Sequence, residues 1–289
     1  MLRNGKDVRS IPQDASLTSS ARDFLRELES DGASRPRAVT NRSQPAATAK
    51  PVTSRSPKSE IEAFCASPEL HEFKLQICEI GRRLWQRAYV EGNGGNITVK
   101  VADDLVLCTP TLVSKGFMQP EDICVVDLEG TQFSGGKTRT SEILMHLQMM
   151  QRQPRMVASV HCHAPHATAF ALAGITPPTG MITEFELFAS VAVAPYRTPG
   201  TPEMGKLVAD LVDKHNVILM ANHGVVSWSH NNVEDAYFKI EIIEAYCRTI
   251  LIASQLGTPA KPMTGEQLQD LLKIKQCLGI PDPRFGLKE

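Results

Sequence analysis

Between residues 60 and 255, short apolar runs of strand length alternate with stretches of helical period, and no segment repeats another. Strands and helices interleaved in this way confine the chain to one α/β domain with a largely antiparallel or mixed sheet. A dinucleotide-binding arrangement is disfavoured, because no GxGxxG joins a strand to a helix. The spacing of Phe73, Ile77, Ile80 and Leu84 predicts an amphipathic entry helix over Pro68 to Tyr89. A Gly/Asn turn at 91–96 runs into a strand, and further strands are expected at 105–108 and 123–127. A helix from Ser141 to Gln151 follows, with Thr140 or Ser141 as N-cap and Glu142 in the first turn. The apolar run 156–160 reads as a buried strand and 167–172 as a helix. Beyond them come a strand at 190–194, a helix at 202–214, strands at 217–221 and 225–229, a long helix at 232–255 and a last one at 265–277.

Residues 1 to about 58 have a different character. Ser, Arg and Pro dominate, and 11 Lys/Arg stand against 6 Asp/Glu, a local charge of +5. Such a segment buries too little apolar surface to offset its ordering entropy, so a disordered tail is expected there. Residues 21–29 are the exception, with enough apolar spacing for two helical turns: a docking peptide, or a transient helix in the tail. The expected organisation is a tail at 1–58, a catalytic domain at 59–258 and a helical extension at 259–289.

The whole chain has a formal charge of -1 with 22% charged residues, which argues against a general nucleic-acid binder. Seven cysteines without a CxxC pair suggest neither a disulfide framework nor a cysteine zinc site. No run has the apolar length of a signal peptide or a membrane span, and a cytoplasmic protein without a membrane partner is the expectation.

Chemistry concentrates at the end of the strand 156–160. Side chains alternate along a strand, so His161 and His163 share one face while Cys162 turns away. Two imidazoles so placed chelate a cation if a third ligand arrives, and Asn222-His223-Gly224, following another apolar run, offers one. Three neutral imidazoles with an open position describe a catalytic zinc site; the plain alternative is polar residues at a strand terminus. Glu142 heads the helix that precedes this strand, where it can act as a fourth ligand and general base, or only favour the helix dipole. Gly95, Asn96, Thr111, Thr140 and Ser141 lie in turns and at a helix start, which suits a phosphate or other anion. Lys115 can add positive charge to that site or stand exposed in its loop. His146, four residues after Glu142, can orient it, bind metal or serve as a buried hydrogen-bonding group. His166 reads as structural. Glu184 and Glu186 line a pocket or a subunit contact, or are solvated loop charge. His71, His215 and His230 receive no role.

Taken in order, Gly94-Gly95-Asn96-Ile97-Thr98-Val99, Thr109-Pro110-Thr111, Thr140-Ser141-Glu142, His161-Cys162-His163-Ala164-Pro165-His166 and Asn222-His223-Gly224 resemble the class II aldolase/adducin superfamily. The likeness covers about 65–255, and within the superfamily the motifs sit nearest the fuculose-phosphate aldolases. The resemblance implies a three-layer α/β/α fold with a central, mostly antiparallel sheet. It implies a homotetramer with active sites at subunit interfaces. It also implies His161, His163 and His223 as ligands of Zn2+, or of Mn2+, Co2+ or Fe2+, and Glu142 as the acid/base. Gly95, Asn96, Thr111, Thr140 and Ser141 then fall in the phosphate site. The activity implied is an aldolase-type lyase acting through a metal-stabilised enediolate on a small phosphosugar or hydroxy-keto substrate. A dehydratase, decarboxylase or epimerase of the same superfamily is the alternative, and a non-catalytic adducin-like module the competing class. Two departures stand out: Leu112 occupies a position where the aldolases carry glycine, and no tyrosine lies near Gly180-Met181.

Overall fold

The structure, a computed structural model, describes residues 52–285. The docking-peptide reading at 21–29 and most of the tail therefore lie outside the described residues. The folded part already includes the 52–57 segment, assigned above to the tail. The Ser54 amide and hydroxyl donate to the Asp104 carboxylate, the hydroxyl at 2.6 Å.

Eight strands form one sheet: β1 (Asn96–Lys100), β2 (Leu105–Cys108), β3 (Cys124–Asp127), β4 (Gln132–Ser134), β5 (Ala158–Cys162), β6 (Val191–Ala194), β7 (Val217–Met220) and β8 (Gly224–Ser229). Their order is β4-β3-β2-β1-β5-β8-β7-β6, and among the described residues only β6 and β7 run parallel. The expected mostly antiparallel sheet is what the chain forms.

Alternation along the strands divides the core into two. Ile97, Val99, Leu107, Val160, Cys162, Leu219 and Val225 face one layer. That layer is supplied by the helices α2 (Pro68–Gln86), α4 (Pro165–Ala173), α5 (Thr183–Phe188) and α7 (Val233–Ser254). Val106, Cys108, Val126, Ile218, Val226 and Trp228 face the opposite layer, built on α3 (Ile143–Arg152) and α6 (Pro202–Ala209). Burial of both sheet faces explains why the strands read as continuous apolar runs. Two further helices, α1 (Lys58–Cys65) and α8 (Gly265–Cys277), flank this three-layer body.

Helix starts follow local chemistry. Ser67 caps α2 by accepting from the Leu70 amide, with Pro68 in the first turn. Thr201 and Asn232 cap α6 and α7 in the same way. The helix expected from Ser141 begins instead at Ile143, and Glu142 itself occupies the N-cap position without making a side-chain cap. Its carboxylate is drawn elsewhere. The sequence reading missed α1, β4 and α5. The last is a six-residue helix whose Glu186 is fully buried against Arg284 at 2.8 Å, so it is not solvated loop charge. Glu184, on the same helix, is exposed.

Candidate metal centre and its carboxylate

β5 and β8 lie side by side in the middle of the sheet, with Cys162 paired to Val225. The register brings the end of β5 against the turn that enters β8, and this turn carries His223. Gly224 makes the approach possible: a Cβ there would lie 2.5 Å from the Cys162 carbonyl oxygen and 2.8 Å from His163 Cδ2. Asn222 adopts a left-handed φ of 56°, which asparagine tolerates better than most residues. On the other side of β5, Gly95 has φ +73, and a Cβ would stand 2.8 Å from the His161 carbonyl oxygen. Glycine at both positions lets the backbone close around the histidines.

One ring nitrogen from each of His161, His163 and His223 comes within 4.8 Å of the other two. His161 is completely buried, and its Nδ1–H donates to the Val225 carbonyl at 3.0 Å. His163 lies just past the end of β5 and donates from Nδ1 to Glu91 at 2.5 Å. Each of these bonds fixes the tautomer and leaves Nε2 bare toward the cluster. Burial, with the nearby rings of His223 and His163 adding to it, pushes the His161 pKa well below that of a free imidazole. Burial also lowers the pKa of His223, against the opposing pull of Glu142. Neutral imidazole is the form that binds metal.

Glu142 closes the site. Its Oε2 lies 3.4 Å from His161 Nε2, and its Oε1 lies 3.3 Å from His223 Nε2. Asn96 donates from Nδ2 to Oε2 at 2.7 Å. The Nε2 atoms of His161 and His163, and Oε1 of Glu142, are buried without a hydrogen-bond partner. Converging orphaned imidazole nitrogens need an explanation, and a divalent ion supplies it. The donor set fits such an ion.

The segments that carry Thr111 and Thr140 are joined by a short antiparallel pairing of 109–111 with 138–140. In it the Thr111 amide donates to Thr138 and the Thr140 amide to Thr109. Ser141 is exposed beside them, and Gly95 and Asn96 are buried at the start of β1. Lys115 is not an exposed loop lysine. It is 1% exposed, and its ammonium donates to the Asn93 and Val113 carbonyls at 2.9 and 2.6 Å. Burial lowers its pKa to about 8, partly opposed by Glu142. Leu112 has φ 56° and stands 80% exposed, a conformation that suits glycine better. His166 is held by Glu244 at 2.6 Å, in keeping with a structural role. His215 bonds Ser190, and His71 is exposed on α2.

Two contributors went unrecognised in the sequence. Glu91, which orients His163, sits 72 positions away with no periodic signal to mark it. Ser159 and Thr98 join His146 behind Asn96. The period of two offered a clue here, because Ser159 precedes His161 by two and so shares its face.

A profile of the family described as "Class II Aldolase and Adducin N-terminal domain" matches residues 75–251. The chain is 33% identical over 193 residues to an L-fuculose phosphate aldolase of Methanococcus maripaludis, covering 65% of this chain and 99% of that one. It is 30% identical over 203 residues to a 3-oxo-tetronate 4-phosphate decarboxylase of Haemophilus influenzae, covering 68% and 95%. Among solved structures, an L-fuculose 1-phosphate aldolase superposes with a TM-score of 0.65 at 26% identity, covering 72% of this chain and 96% of that one.

Proposed function

The chain belongs to the class II aldolase and adducin N-terminal domain family, and on that premise we propose that it is a metal-dependent lyase that breaks or forms a C–C bond in a small phosphosugar or hydroxy-keto acid. The observation that carries this reading is the convergence of three imidazoles, two of them with bare Nε2 atoms, on a carboxylate whose Oε1 has no hydrogen-bond partner. An interaction module has no physical use for that arrangement, since leaving buried polar atoms unpaired costs stability.

His161, His163 and His223 would hold the ion, with Zn2+ or another divalent first-row metal as the occupant. Bound there, such an ion supplies Lewis-acid stabilisation of the negative charge left on substrate oxygen when the neighbouring bond breaks. Glu142 then holds or moves the proton at the reacting carbon. Its free oxygen Oε1 faces the imidazoles, while Asn96 occupies Oε2. Gly95, Asn96, Thr111, Thr140 and Ser141 would receive the substrate's phosphate or carboxylate. The pairing that joins 109–111 to 138–140 supports that grouping. Lys115, buried behind the Asn93 and Val113 carbonyls, acts as a strut under this loop rather than as a ligand. A homotetramer with sites completed between subunits, working in the cytoplasm, belongs to the same proposal. Among the described residues, no helix is long and apolar enough to cross a membrane.

Decarboxylation is the second reading, favoured by the likeness to 3-oxo-tetronate 4-phosphate decarboxylase. Both reactions would leave the same kind of charge on a substrate oxygen, which a cation held by His161, His163 and His223 would stabilise. The test is metal content per chain after purification without chelator, followed by assay of L-fuculose 1-phosphate cleavage and of 3-oxo-tetronate 4-phosphate decarboxylation. Glu142→Gln should retain the metal and lose about 100-fold or more in turnover, the scale of a general acid–base contribution. A variant that turns over like the parent would remove Glu142 from its role. A parent that neither carries nor takes up metal would end the lyase reading.

A further inference from the structure

We propose that His146 is a positioning residue that determines which oxygen of Glu142 reacts, acting through Asn96 at the end of a one-way chain of hydrogen bonds from Thr98 and Ser159. The proposal rests on the reading of Glu142 as the proton-transferring carboxylate and adds a group that touches neither metal nor substrate.

The direction of the chain follows from donor chemistry. A carboxylate oxygen only accepts, so the Asn96 atom 2.7 Å from Glu142 Oε2 is Nδ2, which donates. With Nδ2 so placed, Asn96 Oδ1 turns to His146 Nε2. An amide oxygen also only accepts, so His146 carries its proton on Nε2. A neutral imidazole has one N–H, which leaves Nδ1 as an acceptor, 2.5 Å from Ser159 Oγ. Ser159 gives its single hydrogen to that nitrogen. Thr98 Oγ1, 2.7 Å from Ser159 Oγ, must therefore donate to Ser159. Every hydrogen in the series points toward Glu142.

Bulk solvent does not reach these side chains. Thr98, Ser159 and His146 are fully buried, and Asn96 is 3% exposed. Burial also keeps His146 neutral, with its pKa lowered to about 3. The two strands and the helix are in register for this purpose. Thr98 pairs with Ser159 and Asn96 with His161 across β1 and β5. His146 descends from α3 one turn after Glu142.

The consequence falls on the carboxylate. Reversing the chain would turn Asn96 over and set its oxygen against Oε2, two acceptors face to face. The chain therefore holds Oε2 as an occupied acceptor and leaves Oε1, which has no hydrogen-bond partner, as the reactive oxygen. A histidine kept only to fill the core would be served equally by either tautomer. This one is restricted to Nε2–H.

The test is a long-range 1H–15N correlation spectrum of the full-length protein labelled at histidine nitrogen, with His146→Gln identifying the signals. The expected result is a protonated Nε2 and a bare Nδ1 for His146. The Nδ1–H tautomer would overturn the proposal without any turnover assay. His146→Leu should narrow the splitting of the Asn96 side-chain amide protons, because the donor that fixes the amide is gone. His146→Gln should restore it, since a glutamine amide reaches the place of Nε2–H. A folded His146→Leu protein with an unchanged Asn96 amide also refutes the inference. If that variant does not fold, the wild-type tautomer decides alone. On a substrate the parent turns over, His146→Leu should lower kcat by about 10-fold or more with KM within about twofold. Failure of the Glu142 reading shows separately, as retained turnover in Glu142→Gln.

Discussion

Gly224→Ala tests how the site is assembled, because the added methyl enters where the third histidine meets the other two. Its Cβ would sit 2.5 Å from the Cys162 carbonyl oxygen, 2.8 Å from His163 Cδ2 and 3.3 Å from His161 Cε1. Real Cβ atoms do not come within about 3.0 Å of a neighbour, so about half an ångström must open against Cys162. That oxygen belongs to the β5 backbone, which is paired to β1 on one side and β8 on the other. It cannot swing away as a side chain would. Overpacking of this kind costs about 1–3 kcal/mol. Unfolding entropy near ~2.1 cal/mol/K per residue gives about 0.5 kcal/mol/K for residues 52–285, so Tm should fall by about 2–6 °C. The same displacement separates His223 from His161 and His163, whose convergence defines the centre. Zinc uptake by chelator-stripped protein should weaken in parallel, because ligand geometry tolerates errors of only about half an ångström. Calorimetry and elemental analysis on parent and variant are the assays. A variant with unchanged Tm and full zinc content would show that the glycine is not what lets the histidines meet.

Removing and restoring the ion should register without any substrate. At zinc about 100 times its Kd, the stripped protein should gain about 2.7 kcal/mol, or about 5 °C in Tm. His223→Ala should show little of that gain, and an equal gain in both proteins would place the metal elsewhere. Lys115 imposes a pH dependence whose sign is fixed by its lowered pKa of about 8. Between about pH 8 and 10.4 the unfolded lysine holds a proton that the folded one has lost, so stability rises with pH across that window. Urea unfolding of parent and Lys115→Met should differ in slope there, and parallel curves would refute the buried charge. Leu112→Gly exchanges the unfavourable left-handed φ, worth about 1–2 kcal/mol, for a glycine entropy cost of about 0.5–1 kcal/mol. Its stability should be equal to the parent's or higher by up to about 1.5 kcal/mol, and a clear loss would mean that Leu112 packs against something in solution.

Much of this protein can be read from its residues alone because the signals are local. Interleaved periods of two and 3.6 indicate an α/β domain, and Ser67, Thr201 and Asn232 announce helix starts by capping chemistry that needs no distant partner. Alternation along β5 puts His161 and Ser159 on one face wherever the strand lies. The ambiguities that survive are those in which one residue type serves two environments. Glu142 also reads as a helix-dipole carboxylate, and the fold chose otherwise by starting the helix at Ile143 and offering Asn96 as donor. Lys115 reads as a surface lysine until two carbonyls from Asn93 and Val113 close over it. Glu186 reads as loop charge until the C-terminal segment delivers Arg284 from 98 positions away. Only strand order decides that Glu91, Asn96, Glu142 and His223 share a site with β5. Pairing across the sheet acts at a few ångströms between segments far apart in sequence, and a linear pattern carries no record of which segments those are.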